Sequence, residues 1–167
     1  MELQGRQRIG SGFDSHRLVR GRPLWIGGVR IPADVGADAH SDGDVLLHAA
    51  ADALFGAVAA GDIGEHFPDT DPAWKDHGSA HFLLEAARAV DRAGYRLVNL
   101  DGTVFLEKIK LSARKDEIAR RIVEILAPLW DLPREAVNVK AKTMEGCDAV
   151  GRGEALSAQV SVLIERS

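Results

Sequence analysis

From Val45 to Ala60 the chain is almost continuously apolar, built of Ala, Leu, Val and Phe. Such a run predicts a helix buried on most of its faces. Asp44, His48 and Asp52 interrupt it at four-residue intervals, so on a helix they share one face. Ser41 or Asp42 is the expected cap of this 40–60 helix, because a side-chain oxygen there can accept from a free amide N–H. The other patterns are shorter. Arg8 to Phe13 predicts a strand. Leu24–Ile26 and Val29–Ile31 flank Gly27-Gly28, a hairpin signal. Glu65 to Ser79 carries Pro68 and Pro72 with neither helical nor strand periodicity, and predicts a connector long enough for a binding loop. Ser79 to Ala93 repeats apolar residues at helical spacing and ends at Gly94. Tyr95 to Glu107 predicts a strand, or a strand pair around Asp101-Gly102. A helix capped by Ser112 is expected through Leu126, with Ile118, Ile122, Ile125 and Leu129 as its core stripe. Val137–Thr143 and Ala155–Ile164 predict the last two strands. Together these elements predict an α+β fold: a mixed β-sheet with helices packed on one face.

Composition narrows the class without changing that picture. The chain has 167 residues, 46% hydrophobic and 28% charged, which fits a single domain over 1–167 with a sizeable core. A net charge of -4 and a pI near 5.9 give no reason to expect nucleic acid or an anionic membrane as partner. No run is long enough to span a bilayer, and the first ten residues lack the apolar core of a signal peptide. Cys147 is the single cysteine, so no intrachain disulfide can form; a cytoplasmic location is the expectation.

Candidate chemistry starts from Phe13-Asp14-Ser15-His16. In a strand, residues i and i+2 point to the same side, so Asp14 and His16 can present a carboxylate and an imidazole together. His48 on the helix would complete a three-ligand site with an open fourth position, a donor set suited to catalytic Zn²⁺. On spacing alone, a hydrogen-bonded polar stripe explains His48 as well. Lys140 to Glu145 leaves a strand and enters a loop holding Gly146, Gly151, Arg152 and Gly153. Lysines, a threonine hydroxyl and loop amides suit phosphate oxygens, and Glu145 could hold a Mg²⁺ between two phosphates. A charged strand end and a turn is the simpler reading of that stretch by itself. Glu107-Lys108-Ile109-Lys110 reads as a solvated strand end, and Cys147 has no visible base partner.

Taken together, FDSH at 13–16, HSDGD at 40–44 followed by His48, GDIG at 61–64, FPDTDPAWK at 67–75 and KTMEG at 142–146 carry a resemblance. In this order and spacing the chain resembles the 2-C-methyl-D-erythritol 2,4-cyclodiphosphate synthases of the non-mevalonate isoprenoid pathway, over essentially its whole length.

The resemblance implies a homotrimer with three active sites at subunit interfaces. It also implies conversion of 4-diphosphocytidyl-2-C-methyl-D-erythritol 2-phosphate into the cyclic diphosphate plus CMP. Asp14, His16 and His48 match the family's Zn²⁺ ligands, and Glu145 matches the residue holding a second ion, Mg²⁺ or Mn²⁺, across the α and β phosphates. His40 and Thr143 match the pair that stabilises the transition state. Ser15, Ser41, Asp62, Ile63, Gly64, Phe67, Pro68, Asp69, Thr70 and Asp71 lie in segments that match the grip on the methylerythritol phosphate. Leu106, Lys110 and Ser112 fall in the stretch matching a cytidine pocket supplied by the neighbouring subunit. Lys142 and Met144 stand where many members carry threonines, Ile109 where proline is common, and Ala149 where an aromatic is frequent. Ala149 and Arg152 would lie toward the trimer axis. Two rivals follow from the same residues: a phosphohydrolase using zinc-bound water, and a trimeric ligand-binding protein whose zinc is structural.

Overall fold

The computed structural model describes residues 6–68 and 78–167. Five strands form one mixed sheet in the order β4-β1-β7-β5-β6, where β1 is Gln7–Arg20, β4 Val35–Ala37, β5 Tyr95–Phe105, β6 Val137–Lys142 and β7 Ala155–Arg166. Only β5 and β6 run parallel; the other pairings are antiparallel. A separate hairpin joins β2 (Leu24–Ile26) to β3 (Val29–Ile31), with Gly27 and Gly28 both at positive φ as a tight turn requires. The long helices are α1 (Val45–Ala57), α3 (Ser79–Arg92) and α4 (Lys115–Leu126), and two single-turn helices are α2 (Ile63–His66) and α5 (Asp148–Gly151).

The expected α+β architecture is present, with boundaries that differ from the sequence pattern for identifiable reasons. β1 runs seven residues past Phe13, because its inward positions carry Gly10, Gly12, Asp14 and His16 and so show no apolar alternation. Those glycines decide how the helix layer sits. A Cβ on Gly10 would fall 1.8 Å from the Ala53 carbonyl oxygen, and one on Gly12 would fall 2.0 Å from that of Ala49. Helix α1 therefore lies directly on the backbone of β1, closer than any side chain would permit.

Tyr95 to Phe105 is one strand, not a pair. Gly102 continues it, and a Cβ there would stand 2.9 Å from Leu46 Cδ1. An irregularity between Leu97 and Asn99 shifts the pairing with β7, so the buried set passes from Tyr95 and Leu97 to Leu100, Gly102 and Val104. Ser112 does not cap α4; that helix begins at Lys115, after Arg114, with no side-chain cap. Leu129 lies beyond its end and is only partly buried.

The core lies between the inner sheet face and α1, α3 and α4. Among the described residues the opposite sheet face carries no helix, and Ile9 (80% exposed) and Phe13 (61%) stand out on it. Among the described residues no helix is long and apolar enough to cross a membrane.

Candidate metal centre

The close seat of α1 on β1 brings His48 against Asp14 and His16. Asp14 Oδ2 lies 3.0 Å from His48 Nδ1 and 3.2 Å from His16 Nε2, and the three ligand atoms all fall within 4.8 Å of one another. Ligand atoms around a tetrahedral ion with bonds of about 2 Å stand roughly 3.3 Å apart, so these three can share one cation. His16 Nε2 is buried and has no hydrogen-bond partner among the described residues, as expected of a nitrogen whose lone pair is reserved for an ion. The donor set of two nitrogens and one carboxylate oxygen fits Zn²⁺.

The electrostatics of the triad point the same way. Burial alone would raise the Asp14 pKa, but contacts with the His16 and His48 imidazoles outweigh it and hold the carboxyl well below its usual range. Burial would lower His48, yet the hydrogen bond to Asp14 and the charges of Asp14, Asp44 and Asp42 leave it raised. A concentrated negative field thus awaits a positive charge at this point.

The expected stripe of Asp44, His48 and Asp52 divides its labour. Asp44, and neither Ser41 nor Asp42, is the N-cap of α1: its carboxylate accepts from Leu47 N at 3.1 Å. The fully buried carboxylate turns away from the metal site to accept from Gly27 N (2.9 Å) and Gly28 N (2.7 Å) in the hairpin turn. Asp52 accepts from Ile63 N at 2.7 Å and so anchors the start of α2. His48 alone of the three serves the centre.

Other residues singled out from the sequence take varied places. His40 is exposed on the turn before α1, while Ser41 is half-buried with its hydroxyl 3.5 Å from His48 Nε2. Asp62 caps α2 through Glu65 N, which leaves Ile63 and Gly64 in the first helical turn. His66 stacks on Phe55 with centroids 4.0 Å apart and donates to Ala60 O, pinning α2 to α1. Phe67 packs against Phe82 at 4.6 Å, and Pro68 follows half-buried. Asp69, Thr70 and Asp71 lie outside the described residues. Ser15 donates to Leu156 O on the strand opposite to the ligand face.

The phosphate-friendly stretch lies elsewhere in the chain. Following the register, Asp14 pairs with Ala158, Ala158 with Val104, and Val104 with Ala141. Three strand spacings separate β1 from β6, or about 14 Å. Lys142, Thr143 and Glu145, exposed at and beyond the end of β6, therefore do not close around the triad within one chain. Thr143 Oγ1 donates to Glu145 Oε1 at 3.2 Å, and Glu145 holds φ at 52°, a conformation uncommon for a side-chain-bearing residue. Ala149 and Arg152 lie in and just after α5, where Arg152 pairs with Glu154. Leu106 is 5% exposed and belongs to the core, whereas Lys110 and Ser112 are exposed.

Two contributors escape the sequence pattern. Glu107 is no idle strand end: its carboxylate accepts from Met144 N (2.8 Å) and Gly146 N (3.2 Å), clasping the loop that carries Glu145. Ser79, legible in the sequence only as a helix start, is fully buried with its hydroxyl 2.8 Å from His48 Nε2.

A mixed α+β sheet with an Asp-His-His cluster at the foot of its central helix defines a candidate metalloprotein whose ligands come from one strand and one helix. Comparison with known proteins makes this specific. Residues 7–165 match the model of the YgbB family, and the chain belongs to that family. A 2-C-methyl-D-erythritol 2,4-cyclodiphosphate synthase of Salinibacter ruber is 52% identical over 158 residues, 95% of this chain and 98% of the relative. Its counterpart from Geobacillus kaustophilus is 51% identical over 160 residues, with 96% and 99% covered. A solved synthase with CDP bound superposes with a TM-score of 0.86 at 40% identity, covering 95% of this chain and all of that one. The resemblance carried by the motifs thus extends to nearly the whole chain and to its fold.

Proposed function

We propose that this chain converts 4-diphosphocytidyl-2-C-methyl-D-erythritol 2-phosphate into 2-C-methyl-D-erythritol 2,4-cyclodiphosphate and CMP. The observation that carries the reading is the convergence of Asp14, His16 and His48 on one point, in a chain half identical to synthases of that name. In the reaction an oxygen of the substrate's 2-phosphate forms a bond to the β-phosphorus. The bond from that phosphorus to the α–β bridging oxygen breaks, and CMP departs with the electron pair. No protein nucleophile is required. What the chain must supply is position and charge, and an intramolecular attack held in the right geometry can recover roughly 7–11 kcal/mol of the barrier.

Asp14, His16 and His48 would hold Zn²⁺, and Glu145 would hold Mg²⁺ or Mn²⁺ at the α and β phosphates. Bound there, the two cations would polarise phosphoryl oxygens and neutralise charge that grows in the transition state. Thr143 and His40 place hydrogen-bond donors near the reacting phosphorus, and Lys142 steadies the nucleotide phosphates, with Met144 beside it held by Glu107. Ser41, Asp62, Ile63, Gly64 and Phe67 with the residues after it grip the methylerythritol phosphate. Leu106, Lys110 and Ser112 bound the cytidine pocket, with Leu106 contributing backbone.

The separation of the triad from Lys142–Glu145 supports assembly as a homotrimer, in which one copy's triad faces the next copy's β6 end. The bare outer sheet face, with Ile9 and Phe13 exposed, supports the same arrangement. A phosphohydrolase acting on the same triad has no observation of its own in its favour. Phosphorus NMR of the protein with substrate, Zn²⁺ and Mg²⁺ tests the reading. Two coupled diphosphate resonances appearing with CMP support the cyclase; a linear diphosphate or free phosphate would replace it with the hydrolase.

A further inference from the structure

His48 has two ring nitrogens, and only one faces the triad. Nδ1 points at Asp14 Oδ2, 3.0 Å away, while Nε2 points to the N-terminus of α3, where Ser79 Oγ stands at 2.8 Å. Ser79 is fully buried, so its hydroxyl has no water to turn to. Its other partner is Asp42: Oδ1 accepts from the Ser79 hydroxyl, and Oδ2 accepts from Ser79 N at 2.9 Å. Asp42 Oδ1 also accepts from Asp44 N at 3.2 Å.

The direction of each bond follows from what each group can do. A carboxylate only accepts, so the Ser79 hydroxyl spends its single proton on Asp42. The oxygen then faces His48 Nε2 with lone pairs alone, and Nε2 must carry the proton. With Nε2 protonated, a neutral imidazole keeps its lone pair on Nδ1, the atom that faces Asp14 and His16. Ser41 Oγ, at 3.5 Å from Nε2, is too far to compete.

We propose that Asp42 and Ser79 are positioning residues that fix the Nε2–H tautomer of His48 and so present Nδ1 to the metal. This inference rests on the metal-site reading above. The turn before α1 and the first residue of α3 then act together, holding one ligand in the protonation state and orientation a cation needs.

Asp42→Asn provides a sharp test because the exchange keeps shape and inverts polarity. An NH₂ in place of Oδ2 would meet the Ser79 N–H donor to donor, whereas in place of Oδ1 it loses the 3.2 Å bond to Asp44 N and meets the Ser79 hydroxyl. The second is the lesser loss, because a hydroxyl can reverse and a backbone N–H cannot. The NH₂ then faces Ser79 Oγ, which accepts from it and turns its own proton onto His48 Nε2. That moves the imidazole proton to Nδ1, where it blocks the metal.

The experiment measures Zn²⁺ affinity of the full chain by competition with a chromophoric chelator, with circular dichroism as the check on folding. Ser79→Ala is expected to weaken Zn²⁺ binding about 10–100-fold. Asp42→Asn is expected to weaken it at least as much as Ser79→Ala. If the network were only a packing feature, the isosteric Asn would be the milder change, and that order overturns the proposal. Histidine-selective ¹⁵N NMR of the Zn²⁺-loaded wild type needs no variant. A His48 Nε2–H signal with Nδ1 on the metal is expected, and ligation through Nε2 overturns the proposal. A wild-type chain that fails to bind Zn²⁺ overturns the metal-site reading beneath it instead.

Discussion

Gly12 and Ala49 meet backbone to backbone: the Cβ that Gly12 lacks would stand 2.0 Å from the Ala49 carbonyl oxygen. His48 is the residue before Ala49, so the approach of α1 to β1 sets the distance from His48 to Asp14 and His16. Gly12→Ala must push the helix off the strand. We expect a loss of about 3 kcal/mol in urea unfolding and a marked fall in Zn²⁺ affinity. Gly56, on the same helix, is the contrast, because the nearest atom to its missing Cβ is 4.0 Å away. Gly56→Ala should gain about 0.5–1 kcal/mol from helix propensity and leave Zn²⁺ binding as it was. Equal effects of the two substitutions would refute the close-packing account.

Asp44 ties α1 to the β2–β3 hairpin with three backbone donors, from Gly27, Gly28 and Leu47, and none of it is exposed. Removing the carboxylate leaves those donors without their acceptor. Asp44→Ala is expected to lower the unfolding free energy by about 3–5 kcal/mol, more than loss of an ordinary cap. A loss under about 1 kcal/mol would mean that water or a rearranged turn satisfies all three.

Gly12 and Asp44 also mark how far the linear sequence reaches. Asp14 and His16 two apart on a strand, and His48 on an apolar helix, follow from local periodicity; their grouping as one ligand set does not, and rests in the sequence on the motifs of the resemblance. The length of β1 is not legible either, since the inward positions that follow Phe13 begin with Asp14 and His16, polar where an apolar alternation would mark a strand. Asp44 resembles a third member of the His48 stripe because spacing reports helix faces, whereas a capping residue directs its side chain beyond the helix. The roles of Glu107 and Ser79 stay hidden because their partners lie 37 and 31 residues away, at separations on which periodicity is silent.

Metal removal should expose a pH signature. Asp14 is lowered in the folded chain, so its contribution is present above its unfolded value of 3.8 and is lost as pH falls through the folded value. His48 is raised, so its contribution is full below 6.5 and is lost as pH rises through its folded value. In chelator-treated protein the Tm advantage of wild type over His48→Gln should therefore be greatest between pH 3.8 and 6.5. With Zn²⁺ present the trend above that window reverses, because the ion needs the neutral imidazole and displaces its proton. A wild-type advantage that grows with pH in the chelated protein would contradict this pairing.

His48→Ala isolates the centre from the fold. The substitution leaves most of the surrounding packing intact, since Phe82 and the alanines beside His48 stay in or against the core. The variant should remain folded with its assembly state unchanged, bind no stoichiometric Zn²⁺ and form no cyclic diphosphate by phosphorus NMR. Full turnover in a metal-free His48→Ala protein would remove the triad from the mechanism.

Glu107 reaches from the end of β5 to the amides of Met144 and Gly146, the residues on either side of Glu145. Glu145 sits between those amides at a backbone φ of 52°, so on the proposed reading their release would loosen its hold on the second ion. Glu107→Ala should leave the Asp14–His16–His48 centre and its Zn²⁺ content unchanged while raising the Mg²⁺ concentration for half-maximal turnover about tenfold, the lower end of what loss of a supporting partner does to a metal ligand. Glu107→Gln keeps one acceptor oxygen for the two amides and should fall between alanine and wild type. A parallel loss of Zn²⁺ in Glu107→Ala would mean that the β6 loop supports the whole site and not the Glu145 half alone.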